Sequence, residues 1–250
     1  LGIHYNDLTG YLDGLQKAVK TPYLPFSRLG LDDATGEPIQ INDHVLQIEN
    51  EYYSLVRPKQ VPQEGETPSQ ALASRGIGYV ELRAVDVNPY SPIGIDEDTA
   101  GFLEVLALYC LLQDSPALLD AEQSIIENNQ AEVVNRGRAP NAHIQEGDIK
   151  IPIEAWGQRY VTAMQPLAAL LDQSYATQLY SQALERMMAR LHEVDETLSA
   201  QMIADTIQHG GTWGFGSYMA QQHAHAYEQH ALRPETQTYF DEIAVQSIQQ

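Results

Sequence analysis

The sequence is poor in cysteine, in basic residues and in long apolar runs, and each shortage removes a class of protein. One cysteine, Cys110, stands among 250 residues. That excludes a disulfide framework and argues against a cysteine-based metal site. Only 14 lysines and arginines face 34 aspartates and glutamates, for a formal net charge of -20. A nucleic-acid surface needs a positive field, so this balance argues against nucleic-acid binding and against adhesion to anionic membranes. The apolar runs fall far short of the ~20 residues that span a bilayer, and no signal peptide is found. Glycine-rich phosphate loops are missing too, because neither GxGxxG nor GxxxxGK[ST] occurs. There is no HExxH and no Cys/His cluster to hold zinc, and no GxSxG or SxxK serine motif.

What remains is enough for a real core, with hydrophobic residues at 43%. Leu8, Leu12, Leu15 and Val19 recur at helical spacing and predict a helix over 8–19. Thr21-Pro22 ends it; the Pro22–Pro25 region reads as loop and Leu31–Pro38 as an acidic turn. His44–Tyr53 alternates as a strand should. Leu46, Ile48, Asn50 and Tyr52 fall on one side, and Val45, Gln47, Glu49, Glu51 and Tyr53 on the other. After a loop and a short helix over 69–74, Ile77–Val87 predicts a second strand. There Tyr79, Glu81, Arg83 and Val85 share a side, while Val80, Leu82 and Ala84 share the side expected to pack on the core.

Asn88–Gly94 reads as a rigid turn, and Asp96 or Asp98 caps a helix over 99–112 whose apolar run places Cys110 in the core. Beyond it the pattern predicts helices over 117–136, 153–171 and 178–191, with an exposed linker over 137–148. Pro166 is expected to bend the second of these. A segment capped by Thr197 or Ser199 runs to Gly210-Gly211, and Phe215–Leu232 reads as the last helix. The glycines of 210–216 have no lysine and no preceding strand, so they read as a helix junction.

Two charges at i and i+2 of a strand face the same way, which puts Glu81 beside Arg83. Facing bulk solvent they would be an ordinary surface pair of little consequence. Glu49, Glu51 and Tyr53 repeat the pattern on the first strand, so a shared sheet would gather carboxylates, an arginine and tyrosines. Oxygen-rich groups suit Mg2+, and a guanidinium fork suits a transferring phosphoryl group.

Two longer blocks carry a resemblance. They are Val45-Leu46-Gln47-Ile48-Glu49-Asn50-Glu51-Tyr52-Tyr53 with Val56-Arg57-Pro58-Lys59, and the run from Gly78 through Glu81-Leu82-Arg83 to Asn88-Pro89-Tyr90-Ser91-Pro92-Ile93-Gly94. Together they resemble the glutamate–cysteine ligase family of proteobacterial type. The opening Leu1-Gly2-Ile3 with Asn6-Asp7-Leu8, and Lys17–Thr21, match the interior of such proteins. The likeness is strong to about Cys110 and looser afterwards.

The resemblance implies an α+β fold: part of a glutamine-synthetase-like curved, mainly antiparallel sheet over 1–112, then a mainly helical region over 113–250. It implies ATP-dependent joining of the γ-carboxylate of glutamate to cysteine, with ATP and Mg2+ or Mn2+ as cofactors, in the cytoplasm. On this likeness Glu81 is a metal ligand and Arg83 touches the transferred phosphate. Tyr53 helps bind cysteine, and Gly76, Ile77 and Tyr79 line the nucleotide end. Family members are far longer, so the chain is expected to be a C-terminal half, inactive alone, whose N-terminal half lies in the same protein or in a second chain. Two alternatives stay open: a γ-glutamyl ligase using another amine, and a noncatalytic scaffold domain in which Glu81 and Arg83 point to solvent.

Overall fold

A computed structural model describes residues 3–249, so Leu1 and Gly2 of the matched opening lie outside the described residues. The described residues hold ten α-helices and four short strands. The chain divides into two compact units.

The first unit is the chain up to Asp86 together with Ser115–Ser124. Helix α1 (Leu8–Ala18) forms where the apolar stripe predicts it, and the Asp7 side chain caps it by accepting from Gly10 N at 2.8 Å. Its buried face, Tyr11, Leu15 and Ala18, meets Ile3, Leu46, Tyr52 and Leu72 in a small core. A short helix, α2 (Leu24–Leu29), begins inside the Pro22–Pro25 region expected to be loop. Pro25 lies in its first turn, where a missing N–H breaks no helical bond. Strands β1 (Val56–Lys59), with Pro58 inside it, and β2 (Tyr79–Leu82) pair antiparallel, Arg57 opposite Glu81 and Lys59 opposite Tyr79. Between them α3 (Pro68–Arg75) starts on a reciprocal capping box of Thr67 and Gln70.

Three expectations fail in this unit. The strand over His44–Tyr53 does not form; the segment is irregular, with a single 3-10 turn at Glu49–Glu51. Its polar side chains bond nearby backbone instead. Gln47 N donates to Glu51 Oε2 at 2.5 Å, His44 N to Asn42 Oδ1 at 2.9 Å, and Asn42 Nδ2 to Gln47 O at 3.0 Å. Such local bonds compete with a ladder. The second strand keeps only four of its predicted residues, because β1 offers only four partners. The curved, mainly antiparallel sheet is likewise contradicted: the fold is mostly helical, with two separate two-stranded antiparallel sheets, neither of them curved or closed.

The second unit comprises Val87–Asp114 and the chain from Ile125 on. Its opening turn is tied by buried Asn88, which donates to Asp96 Oδ2 at 2.7 Å and accepts from Tyr90 N at 2.9 Å. Asp96 in turn caps α4 (Glu97–Leu112) through Thr99 N at 2.7 Å. After α5 (Asp120–Arg136), the expected linker over 137–148 holds β3 (His143–Glu146), which pairs with β4 (Ile149–Pro152) just beyond it, and buries Ala142 and Ile144. Helices α6 (Ile153–Tyr175) and α7 (Leu179–His192) pack with α4 around Val105, Val161, Met164, Ala168 and Leu184. Pro166 sits inside α6 without ending it.

The helices approach closely at glycines. A Cβ on Gly157 would lie 2.6 Å from Leu191 Cδ2, and one on Gly101 would lie 3.3 Å from Leu179 Cγ. Buried Asp172 caps α7 by accepting from Tyr180 N and Ser181 N, each at 3.0 Å. Burial pushes its carboxyl up, but these bonds, led by Ser181, outweigh burial and hold it below its ordinary value.

The apolar run of α4 covers all its faces while the core takes one strip, so Leu111 is 78% exposed. Cys110 is exposed for the same reason, contrary to the expected core position. Thr197 caps α8 (Leu198–Gln208), and Gly210 and Gly211, with φ of 73° and 123°, turn the chain into α9 (Thr212–Gln229). A further helix, α10 (Pro234–Gln249), follows where none was expected. Tyr90 Oη donates to Asp205 Oδ2 at 2.5 Å, and His223 Nε2 lies 2.7 Å from Pro89 O, so α8 and α9 hold the opening turn.

Candidate functional site

Residues paired across an antiparallel ladder share a face. The register therefore gathers Arg57, Lys59, Tyr79 and Glu81 on one face of the β1–β2 hairpin, and Arg83 continues it beyond β2. Glu81 is its only carboxylate. Arg83 Nε lies 2.9 Å from Glu81 Oε2, and Lys59 Nζ lies 3.6 Å from the same oxygen. All three side chains are about a third exposed, at 29–32%. Arg83 beside it, with help from Lys59, holds the Glu81 carboxyl below its ordinary value against the opposing effect of burial. Glu81 is therefore ionised at neutral pH, and two cations flank it in a chain that is otherwise strongly acidic.

The faces are reversed from expectation. Val80 is 57% and Leu82 42% exposed, so the side expected to pack on the core is open. The charged face is the one turned inward: Arg57 is 8% exposed, its guanidinium carbon 5.6 Å from the centre of the Tyr52 ring. Arg57 Nε is buried without a hydrogen-bond partner. Burial, and then the bond from Tyr5, pushes the Tyr52 hydroxyl well above its ordinary range, and burial first of all carries Tyr11 to about 12. The phenols around Arg57 are thus uncharged at neutral pH and give it no counter-ion.

The other expected residues fall near this hairpin in different ways. Tyr53 is exposed, and its hydroxyl donates to the Arg83 carbonyl at 3.4 Å. Gly76 ends α3 with φ of 74°, and its carbonyl accepts from Gln60 Nε2 at 3.1 Å. Ile77 and Tyr79, on the way into β2, are about half exposed at 53% and 49%. Glu49 and Glu51 do not join the cluster. Glu49 accepts from Ser69 N at 3.1 Å and Ser69 Oγ at 2.5 Å at the start of α3, and Glu51 bonds Gln47. Sequence reasoning passed over Arg57 and Lys59. The signal was present, since they have the same i, i+2 spacing as Glu81 and Arg83.

Glu81, whose Oε2 is held by Arg83 and Lys59, is a hard oxygen donor of the kind Mg2+ takes. One carboxylate is not a metal site, however, and among the described residues no group of three His, Cys, Asp or Glu could hold a metal ion. A cleft of about 450 Å³ in the second unit is lined by Asn128, Asn129, Arg136, Asn141, Gln145 and Lys150, none of them an expected site residue.

Comparison with known proteins places the hairpin in a family. The family profile described as glutamate-cysteine ligase matches residues 1–133. A glutamate–cysteine ligase of Pseudomonas fluorescens is 41% identical over 247 residues, covering 98% of this chain and 46% of that protein. One from Azotobacter vinelandii is 40% identical over 245 residues, with the same coverage of 98% and 46%. The chain thus spans about half the length of the curated relatives it matches. A crystal structure of the Francisella tularensis enzyme in complex with AMP matches with a TM-score of 0.85 at 30% identity, over 99% of this chain and 49% of that one. A bifunctional glutathione synthetase from Pasteurella multocida, at 20% identity and a TM-score of 0.59 over 91% of this chain and 25% of that one, shares the fold. The profile match spans both blocks that form and flank the charged hairpin, and on it the chain belongs to the glutamate–cysteine ligase family.

Proposed function

We propose that this chain supplies one part of an ATP-dependent ligase site that joins the γ-carboxylate of glutamate to the amine of cysteine. The observation that carries the reading is the Lys59–Glu81–Arg83 cluster on a paired backbone, two-thirds covered, in a chain of this family.

In this reading the terminal phosphoryl group leaves ADP for a glutamate carboxylate oxygen, breaking one P–O bond and forming another. The cysteine amine then attacks the acyl carbon, phosphate leaves with the bonding pair, and the amine loses a proton. Little covalent chemistry falls to the protein, so its work is positioning and charge stabilisation. Arg83 contributes a planar fork for the moving phosphoryl oxygens, pre-oriented by Glu81. Glu81 contributes one oxygen ligand to Mg2+, which offsets phosphate charge when bound, and the remaining ligands come from outside this chain. Tyr53 lies beside the cysteine, and Gly76, Ile77 and Tyr79 border the nucleotide. The relatives' extra length and the open apolar face of the hairpin both support a further segment completing the site. No described helix is long and apolar enough to cross a membrane, and the reading places the protein in the cytoplasm.

The test uses the intact protein that contains this chain. With glutamate, cysteine, ATP and Mg2+ it is expected to form γ-glutamylcysteine, ADP and phosphate in equal amounts, measured by mass spectrometry and phosphate release. A panel of other amines is expected to give less product; preference for one of them would overturn cysteine as substrate. Glu81→Gln is expected to lower turnover about a hundredfold or more with the melting temperature little changed. Unaltered turnover would remove Glu81 from the site.

A further inference from the structure

Arg57 is the one cation of the hairpin face that is buried, and the described residues leave it without a counter-ion. Only 8% of it is exposed, its Nε has no hydrogen-bond partner, and Glu81 across the ladder is already taken by Arg83 and Lys59. Its neighbours are phenols: its guanidinium carbon lies 5.6 Å from the centre of the Tyr52 ring, and its charge acts on Tyr11. A guanidinium taken out of water needs a paired anion, because ring attraction offsets only part of the lost hydration. Tyr52 and Tyr11 cannot supply that anion, since both hold their protons at neutral pH. Counting the face, Arg57, Lys59 and Arg83 oppose Glu81 alone, which leaves an excess of two positive charges. A phosphate group carries about two negative charges and offers flat pairs of oxygens to a guanidinium fork.

Resting on the ligase reading above, we propose that Arg57 is a phosphate-binding residue of the same site, buried without a partner so that a phosphate group of the ligand completes its pairing. The face then works as a graded cradle. Arg57 is preset by the strand and by Tyr52 and reaches the ligand from beneath. Arg83 and Lys59, held loosely by Glu81, exchange that carboxylate for phosphate oxygens.

Without ligand the protein carries a buried Arg57 Nε that nothing pairs, and that separates this role from a structural one. The intact protein is compared with its Arg57→Met and Arg57→Lys variants by thermal unfolding, alone and with inorganic phosphate or with ATP and Mg2+. Methionine keeps an apolar stem of similar reach and removes the charge. Arg57→Met is expected to melt no lower than the parent when unliganded, yet to bind at least one of the two phosphate probes about tenfold more weakly or worse. Arg57→Lys should fall between. Loss confined to ATP identifies a nucleotide phosphate, and loss confined to inorganic phosphate identifies the transferred group. If Arg57→Met melts lower and keeps both affinities, Arg57 is a structural residue whose counter-ion is protein, and the proposal is overturned with the ligase reading intact. If the parent is protected by neither probe, the phosphoryl-handling reading itself falls, and this proposal with it.

Discussion

The three-helix core of the second unit buries Met164, Leu184 and Val105 almost completely, whereas the β1–β2 ribbon of the first unit buries Arg57 and turns Val80 and Leu82 outward. One is built to stay folded; the other holds charge in an arrangement it would not choose for stability alone. In α4, α6 and α7 small residues let backbones close up and large ones fill the seam, which is how tight packing is reached. In the β1–β2 hairpin Arg83 and Lys59 converge on one carboxylate while Arg57 lies buried beside them, and the apolar side faces outward. Departures from the ordinary inside-out rule of this kind concentrate at functional places.

Replacing Arg83 by methionine in the intact protein would break the contrast most directly. Turnover is expected to fall about a hundredfold or more, while hydrogen exchange of peptides from α4, α6 and α7 stays as in the parent. If those peptides loosen together with the loss of turnover, the two units do not divide the labour as described. The converse is Met164→Ala. Truncating a side chain 1% exposed is expected to cost about 2–5 kcal/mol of stability in denaturant titration. The turnover of whatever remains folded should change by less than threefold or so.

The smallest effect sharpens the picture of the first unit at acid pH. Two-point pairing with Arg75, chiefly its hydrogen bonds, lowers the Glu66 carboxyl from 4.5 to about 2. A group so depressed stabilises the fold fully above its unfolded value and loses that contribution as the pH falls from 4.5 toward 2. Glu66→Gln is therefore expected to flatten that part of an acid-unfolding curve slightly, as suits an exposed pair, by lowering stability a little at neutral pH and converging with the parent at the acid end.

The helices were readable because their signals are local. Stripes such as Leu8, Leu12 and Leu15, and caps such as Asp96 and Thr197, act within a turn or two of chain. The sheet was not readable in the same way. Alternation over 44–53 looked like a strand, but Asn42, Gln47 and Glu51 found backbone partners closer at hand than a neighbouring strand. Within the candidate site, the pairing of Glu81 with Arg83 was legible from spacing, and their importance from family likeness. The role of Arg57 was not, because burial without a partner depends on which strand lies opposite and on Tyr52 beneath. Cys110 went wrong for a related reason: an apolar run says that a helix is greasy, not which strip of it finds cover.

Pro58 gives the small ribbon of β1 and β2 a direction of growth. Arg83 N donates to Leu55 O at 2.7 Å, and the alternation of an antiparallel ladder then aims the backbone of residues 57 and 59 inward and that of residue 58 outward. The proline's missing donor thus falls on the outer rim of β1 and spoils it for another strand. The outer rim of β2, at Val80 and Leu82, keeps its donors and acceptors. Any chain that extends this ribbon must zip onto β2, beside Glu81, and so reaches the charged face from a single side.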